Sequence, residues 1–330
     1  MRKASPRHRQ RRLLRRWAGA AVAALAVAAT AFVALPAAQA GQETQPQQEE
    51  RYAVGDVNLG LRNYLLSPGA VTGANDWECE PSAEHPEPVV LVHATAFNLG
   101  SNFARLAPTL ANEGRCVYAF NYGMGSFSMF GRVGGLTGIT RSSQALDAFV
   151  DRVLTSTGAE QVDILGHSQG GMLPNHYIKR LGGAALVDDF VALAPSNHGT
   201  TLSGLTTIGE TLGFLGLANG FLDLAGLDGL LDQEVGSEFQ EALFADGDTV
   251  PGVDYTVIAT RHDAIVTPYT QAFLEGENVT NILLQDVCPQ DEAGHMGLAY
   301  DTPTVQMVLN ALGADDPDFR PDCEGYGPGW

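Results

Sequence analysis

Val162-Asp163-Ile164-Leu165-Gly166-His167-Ser168-Gln169-Gly170-Gly171 joins a short apolar run to a serine flanked by glycines. This is the pattern of a strand that turns abruptly into a helix. In Gly-x-Ser-x-Gly the serine occupies a strained backbone position, and the flanking residues, here Gly166 and Gly170, must lack side chains. The turn is expected to push Ser168 Oγ into the open as a nucleophile. A helix expected over about 171–181 points its N-terminus at the same spot, so the Gln169 N–H and the helix dipole both favour a negative charge developing there. A chain with 38 glycines can produce this pentapeptide by chance. The strand before it and the helix after it are the context the motif requires.

Outward from this elbow the chain reads as a sheet built in strand–helix steps. Val89-Val90-Leu91-Val92 is a continuous apolar run, the mark of a strand buried on both faces, and it ends in His93-Ala94-Thr95-Ala96-Phe97-Asn98. Phe103, Leu106, Ala107 and Leu110 follow at helical spacing, Gly114 stops that helix, and residues 116–120 form the next strand. From Ser142, the spacing of Leu146, Phe149, Val150, Val153 and Leu154 predicts an amphipathic helix closed by Gly158. Further strands are expected at 190–195, 255–259 and 279–284. A last helix has Asp301 or Thr302 as N-cap, Pro303 near its start and Gly313 past its end. The fold class is α/β, a mostly parallel central sheet with helices on both faces.

Two apolar segments stand outside this rhythm. Residues 121–138 are glycine-rich and carry Met124, Phe127, Met129 and Phe130, which either cover core or line an apolar pocket. Within 200–250, leucines and phenylalanines from Leu202 to Leu231 crowd together with few charges. They form either a pair of core helices or a mobile, cap-like insertion over the site.

The first 40 residues read as a secretory signal peptide: a basic start from Arg2 to Arg16, an Ala-rich apolar stretch and a small-residue cleavage site at Ala38-Gln39-Ala40. An uncleaved anchor is the weaker reading, and the export route stays open. Residues 41–50 form a polar, disordered leader, and 51–330 the catalytic domain. Loss of the eight Lys/Arg of the signal peptide takes the formal charge from −19 to −27. That balance argues against nucleic acid and anionic membrane surfaces as partners.

A serine hydroxyl needs a base within reach and a carboxylate to orient that base. Parallel sheets put working residues on loops after the carboxyl ends of strands. His295, after the last strand, is the expected base, with His198 its strongest rival. Asp263, after the preceding strand, is the expected acid, with Asp286 the alternative. His93 is expected to brace a turn, and His167 and His176 to be structural. The oxyanion donors are the backbone N–H of Gln169 and, from the loop after Val92, of Thr95.

Four cysteines in an exported chain suggest two disulfides, and none has a metal-ligand spacing. Cys79 precedes the first sheet strand and Cys116 starts the next, both at the amino edge. Cys288 follows the last strand, and Cys323 lies in the tail after a helix that runs back across the sheet. The expected pairs are Cys79–Cys116 and Cys288–Cys323.

These residues together resemble the bacterial class 2 lipases, secreted actinobacterial triacylglycerol lipases of the α/β-hydrolase fold. The resemblance rests on Val-Val-Leu-Val-His at 89–93, Phe-Asn-Tyr-Gly at 120–123, Gly-His-Ser-Gln-Gly-Gly at 166–171, Pro-Ser-Asn-His-Gly-Thr at 195–200 and Gly-His at 294–295. It implies a triad of Ser168, Asp263 and His295 and hydrolysis of carboxylic esters through an acyl-serine intermediate. The family usually has His-Gly where this chain has His93-Ala94. The expected enzyme needs no metal or organic cofactor and acts as an extracellular monomer with an ester or lipid substrate and transient contact with an emulsion interface. Competing readings are an acyltransferase or polyester hydrolase on the same triad, and a non-catalytic lipid-binding protein.

Overall fold

The alternation of side chains along a strand explains how four apolar residues can serve two cores. In β1 (Val89–Val92), Val89 and Leu91 face one side of the sheet and Val90 and Val92 the other, and all four are fully buried. The computed structural model describes residues 51–125, 128–201, 204, 228–313 and 316–330. The expected signal peptide and leader, and most of the apolar stretch from Leu202, lie outside the described residues.

Five further strands follow: β2 (Val117–Phe120), β3 (Val162–His167), β4 (Val187–Leu193), β5 (Asp254–Ala259) and β6 (Val279–Leu283). They form one sheet in the order β2-β1-β3-β4-β5-β6, every neighbouring pair parallel. The described helices are α1 (Val57–Leu66), α2 (Leu99–Asn102), α3 (Leu106–Asn112), α4 (Ile139–Thr157), α5 (Gln169–Arg180), α6 (Asp228–Leu231), α7 (Glu238–Phe244), α8 (Leu284–Val287) and α9 (Thr302–Ala311). Leu99, Leu106, Leu110, Val305 and Val308 place α2, α3 and α9 on the Val89/Leu91 face. Leu146, Val150, Val153, Met172, Leu173 and Tyr177 place α4 and α5 on the opposite face. Each such side chain contributes roughly 1.5–3 kcal/mol through burial.

The structure corrects several boundaries. The helix expected from Phe103 begins instead at Leu106, and a separate short helix, α2, ends before Phe103. Asn98 caps the start of α2 with a reciprocal capping box to Ser101, and Pro108, which lacks an N–H, falls in the first turn of α3, so that helix cannot begin much earlier. The elbow helix starts at Gln169 rather than near 171, and β4 starts at Val187 rather than 190. Helix α1 has no counterpart among the expected elements; its N-cap Asp56 accepts from Leu59 N–H. Asp301 is the N-cap of α9, its carboxylate accepting from Thr304 N–H. The cysteines pair as Cys79–Cys116 and Cys288–Cys323.

Of the apolar residues expected in the loop at 121–138 to cover core or line a pocket, Met129 and Phe130 are instead exposed, and Phe127 lies outside the described residues. Val133 and Leu136 of the same loop are buried in a small cluster with Tyr64 and Ala96.

Candidate active site

At the carboxyl end of β3 the backbone of Ser168 adopts φ 57° and ψ −123°, a conformation that L-residues hold only under constraint. The constraint is visible in the flanking glycines. A Cβ on Gly166 would stand 2.0 Å from Gly170 O, and one on Gly170 would stand 2.1 Å from Val92 O. Ser168 N–H donates to Leu193 O at 2.8 Å, tying the elbow to β4. The hydroxyl does not face open solvent as the motif alone suggested, because Ser168 is only 3% exposed. The glycine-rich loop packs against its neighbours: a Cβ on Gly135 would stand 2.7 Å from Gln169 Oε1 and 3.0 Å from Thr95 Cα.

Asp263 and His295 meet from two loops at the same end of the sheet. Asp263 follows β5, and its Oδ1 accepts the N–H groups of Ile265 and Val266 at 2.8 and 2.7 Å. That leaves Oδ2 to face His295 Nδ1 at 2.8 Å, with both side chains 2% exposed. The pairing requires the proton on Nδ1 and leaves Nε2 as the basic nitrogen. The loop bearing His295 is held on several sides. Thr260 Oγ1 donates to Ala293 O at 2.6 Å, and Gly294, Met296 and Gly297 donate their N–H groups to Pro328 O and Trp330 O at 3.0 Å. The Cys288–Cys323 bridge closes this loop onto the same tail.

The rival residues lie in other surroundings. Asp286 is 71% exposed at its side chain and faces Arg261, not His295. His198 pairs with Asp248 at 3.2 Å and packs its ring on Phe244. His176 Nδ1 lies 2.7 Å from Ser143 Oγ, on the outer side of α5. His93 does brace a turn: its Nδ1 donates to Ala94 O at 2.9 Å, and its Nε2 accepts from Tyr122 N–H at 3.3 Å. Burial pushes the His93 imidazole down to about 4, so it stays neutral.

Thr95 and Gln169, from the loops after β1 and β3, both flank Gly135. The Thr95 loop turns through Ala96 at φ 66° and is stitched to Gly134 by Ala96 N–H to Gly134 O and Gly134 N–H to Phe97 O. Sequence reasoning missed Gln233, a fully buried amide just after α6. Its Nε2 donates to Thr95 Oγ1 at 3.1 Å and to Gly229 O at 2.7 Å, and its Oε1 accepts from Ser196 Oγ at 2.9 Å. Gln169 Nε2 also donates to Gly229 O, at 2.9 Å. The glutamine side chains therefore tie the expected oxyanion loop to the segment around α6. No local pattern announces a contact spanning 138 residues.

A charge-bearing cluster of another kind lies at the opposite end of the strands. Asp163, Asp188 and Asp189 bring carboxylate oxygens within 4.8 Å of one another at the amino ends of β3 and β4. Burial and the Asp189 carboxylate push Asp163 well above the usual range, and Arg115 pairs with it at 3.5 Å.

Comparison with known proteins bears on the family and the fold. The family model described as lipase (class 2) matches residues 86–308, a span that contains Thr95, Ser168, Gln169, Asp263 and His295. Among solved structures, lipase B of Aspergillus fumigatus is similar in fold, with TM-score 0.55 and 22% identity over 71% of this chain and 55% of that one. This chain thus spans about half the length of that relative. The mature lipase BlEst2 of Bacillus licheniformis gives TM-score 0.49 and 14% identity over 71% and 94% of the two chains. A monoacylglycerol lipase of Paleococcus ferrophilus gives 0.48 and 17% over 70% and 96%.

Proposed function

The chain belongs to the class 2 lipase family and is an ester-hydrolysing enzyme of the α/β-hydrolase fold, and on that premise we propose that it is a secreted triacylglycerol lipase acting through an acyl-serine intermediate. Ser168 Oγ attacks the ester carbonyl while His295 Nε2 takes its proton. Asp263 holds the imidazole in the tautomer that leaves Nε2 free and stabilises the imidazolium. The tetrahedral oxyanion is received by the N–H groups of Gln169 and Thr95, each such donor being worth about 10²–10³ in rate. Collapse expels the alcohol with the proton from His295, and water repeats the cycle on the acyl-serine. The observation that carries this reading is the buried Asp263–His295 pair at the carboxyl end of the sheet, on the same edge as the strained Ser168 elbow.

Two apolar features support a lipid substrate. Ala96, Val133 and Leu136, with Leu230 and Ile265 packed on them, join the Thr95 loop, the glycine-rich loop, α6 and the Asp263 loop in one buried apolar cluster. Outside them, Leu61, Leu65 and Leu66 on α1 and Met129 and Phe130 are exposed. Arg132 draws these two groups together by donating to Leu65 O and Met129 O, and Asn98, beside the Thr95 loop, donates to Arg132 O. This apolar rim is the surface we assign to transient contact with an emulsion. The strong negative charge suits a neutral interface rather than an anionic one. The basic, Ala-rich first 40 residues and the two disulfides support export to an oxidising compartment.

The test is a rate profile against acyl length, from p-nitrophenyl butyrate to emulsified trioctanoin and triolein, with Ser168→Ala as control. Turnover of the emulsified long-chain esters is expected. Activity confined to acetyl and butyryl esters would make the enzyme an esterase and remove the assignment of the apolar rim.

A further inference from the structure

A chain of buried side chains connects the three loops of the proposed site, and neither the elbow motif nor the triad accounts for it. Ala94 N–H donates to Asn102 Oδ1 at 2.8 Å. The Asn102 amide lies against His167 Nδ1, with Nδ2 at 3.1 Å and Oδ1 at 3.2 Å. His167 Nε2 in turn lies 3.0 Å from the backbone oxygen of His295, a carbonyl that can only accept, so Nε2 carries a ring proton. In the neutral ring Nδ1 is then the acceptor, and the Asn102 N–H₂ is the group that can donate to it. Asn102 and His167 are fully buried, and the His167 and His295 rings stand 5.1 Å apart between centroids.

We propose that Asn102 and His167 are positioning residues that hold the His295 loop against the Ser168 elbow and the Thr95 loop, and that they do so only with His167 neutral and protonated at Nε2. The proposal rests on the triad reading given above. His167 adjoins Ser168 in the chain, so its bond to the His295 carbonyl fixes the distance between nucleophile and base through one rigid ring. Asn102, one helical turn beyond the Thr95 loop, references the same ring to the oxyanion side. A neutral His167 also leaves His295 as the ring that receives the proton from Ser168. Burial, with the His295 ring second, pushes the His167 imidazole down to about 3, which agrees with that state.

The test compares His167→Gln, His167→Asn and His167→Phe. Glutamine can place its amide N–H₂ near the position of the imidazole Nε2 and preserve the bond to His295 O; asparagine is too short, and phenylalanine keeps the volume without a donor. Misplacing reacting groups by about 1 Å costs on the order of 10²-fold. The expected result is kcat lowered by about 10- to 100-fold in His167→Asn and His167→Phe with KM within about twofold, and restored to within about fivefold in His167→Gln. Equal kcat in all three variants, whether lost or retained, would overturn the proposal. Where a variant does not fold, ¹⁵N-detected imidazole spectra of the wild-type protein at pH 7 decide: the Nε2–H tautomer is expected at His167, and Nδ1–H or imidazolium overturns it. Ser168→Ala and His295→Ala separate the two readings. If these retain hydrolysis, the triad itself fails; if they lose it while His167→Phe keeps wild-type kcat, the positioning role alone fails.

Discussion

Asp263 Oδ2 lies 2.8 Å from His295 Nδ1, and the other carboxylate oxygen of Asp263 is held by two backbone N–H groups. The two amides aim the carboxylate, and the carboxylate selects the imidazole tautomer. A buried carboxylate–imidazole pair of this kind would be a poor choice for stability alone, because the carboxylate gives up its hydration.

The first prediction follows from that orientation. In Asp263→Asn the side-chain oxygen keeps the amides of Ile265 and Val266, so the new N–H₂ faces His295 Nδ1 and forces the proton onto Nε2. We expect kcat to fall by about 10³–10⁴ with little change in KM, as wrong-tautomer substitutions do in serine hydrolases. Steady-state kinetics on p-nitrophenyl butyrate measure it, and a loss under tenfold would place the orienting carboxylate elsewhere.

The Cys288–Cys323 bridge, with a sequence separation of 35, spans His295 and anchors the tail whose Pro328 and Trp330 carbonyls receive the N–H groups on either side of it. Closing a loop of that length is worth roughly 4 kcal/mol on chain-entropy grounds. Cys288→Ser with Cys323→Ser is expected to lower melting temperature and kcat together. Calorimetry beside kinetics checks this; an unchanged melting temperature would contradict it.

Asp291, four residues before His295, accepts Ala293 N–H through Oδ1, while its Oδ2 is buried without a hydrogen-bond partner. Burial, with the Asp301 charge adding to it, pushes Asp291 up to about 6. The folded state therefore binds the Asp291 proton more tightly than the unfolded chain. The stabilisation is present below about pH 4 and is lost as pH rises through about 6. Asp291→Asn removes the buried charge, so its melting temperature should exceed wild type by about 2–4 °C at pH 8 and match it at pH 4, for a gain of about 1 kcal/mol. A pH-independent difference in thermal melts would refute the raised titration of Asp291.

Phe130 is 95% exposed at the apolar rim. Burying one such ring in an acyl layer is worth roughly 1.5–3 kcal/mol, so Phe130→Ser should weaken apparent affinity for a trioctanoin emulsion by about tenfold or more. Hydrolysis of dissolved p-nitrophenyl butyrate should stay within about twofold of wild type. Equal effects on both substrates would remove Phe130 from the interface.

The parts of this architecture legible in the sequence are those written in local pattern. Val89–Val92 and Val162–His167 are strands because continuous apolar runs suit a sheet covered on both faces, and Gly166 and Gly170 mark the elbow because a Cβ at either position collides with backbone. The loops after β5 and β6 carry Asp263 and His295 because parallel topology brings strand ends together. Gln233, Asn102 and the tail at 325–330 were illegible for the opposite reason. Their partners, Thr95, His167 and the N–H groups around His295, are chosen by tertiary packing across tens to more than a hundred residues. The chain-order rule could single out the residues proposed here as a triad, but not the amides that hold their loops in register.

The most direct measurement is active-site titration with a fluorophosphonate followed by peptide mass mapping of wild type and Ser168→Ala. The account predicts one adduct per chain, on the peptide containing Ser168, with ester hydrolysis lost in proportion to labelling and neither labelling nor hydrolysis in Ser168→Ala. An adduct on another serine, or a Ser168→Ala enzyme that still hydrolyses p-nitrophenyl butyrate at the wild-type rate, would contradict it.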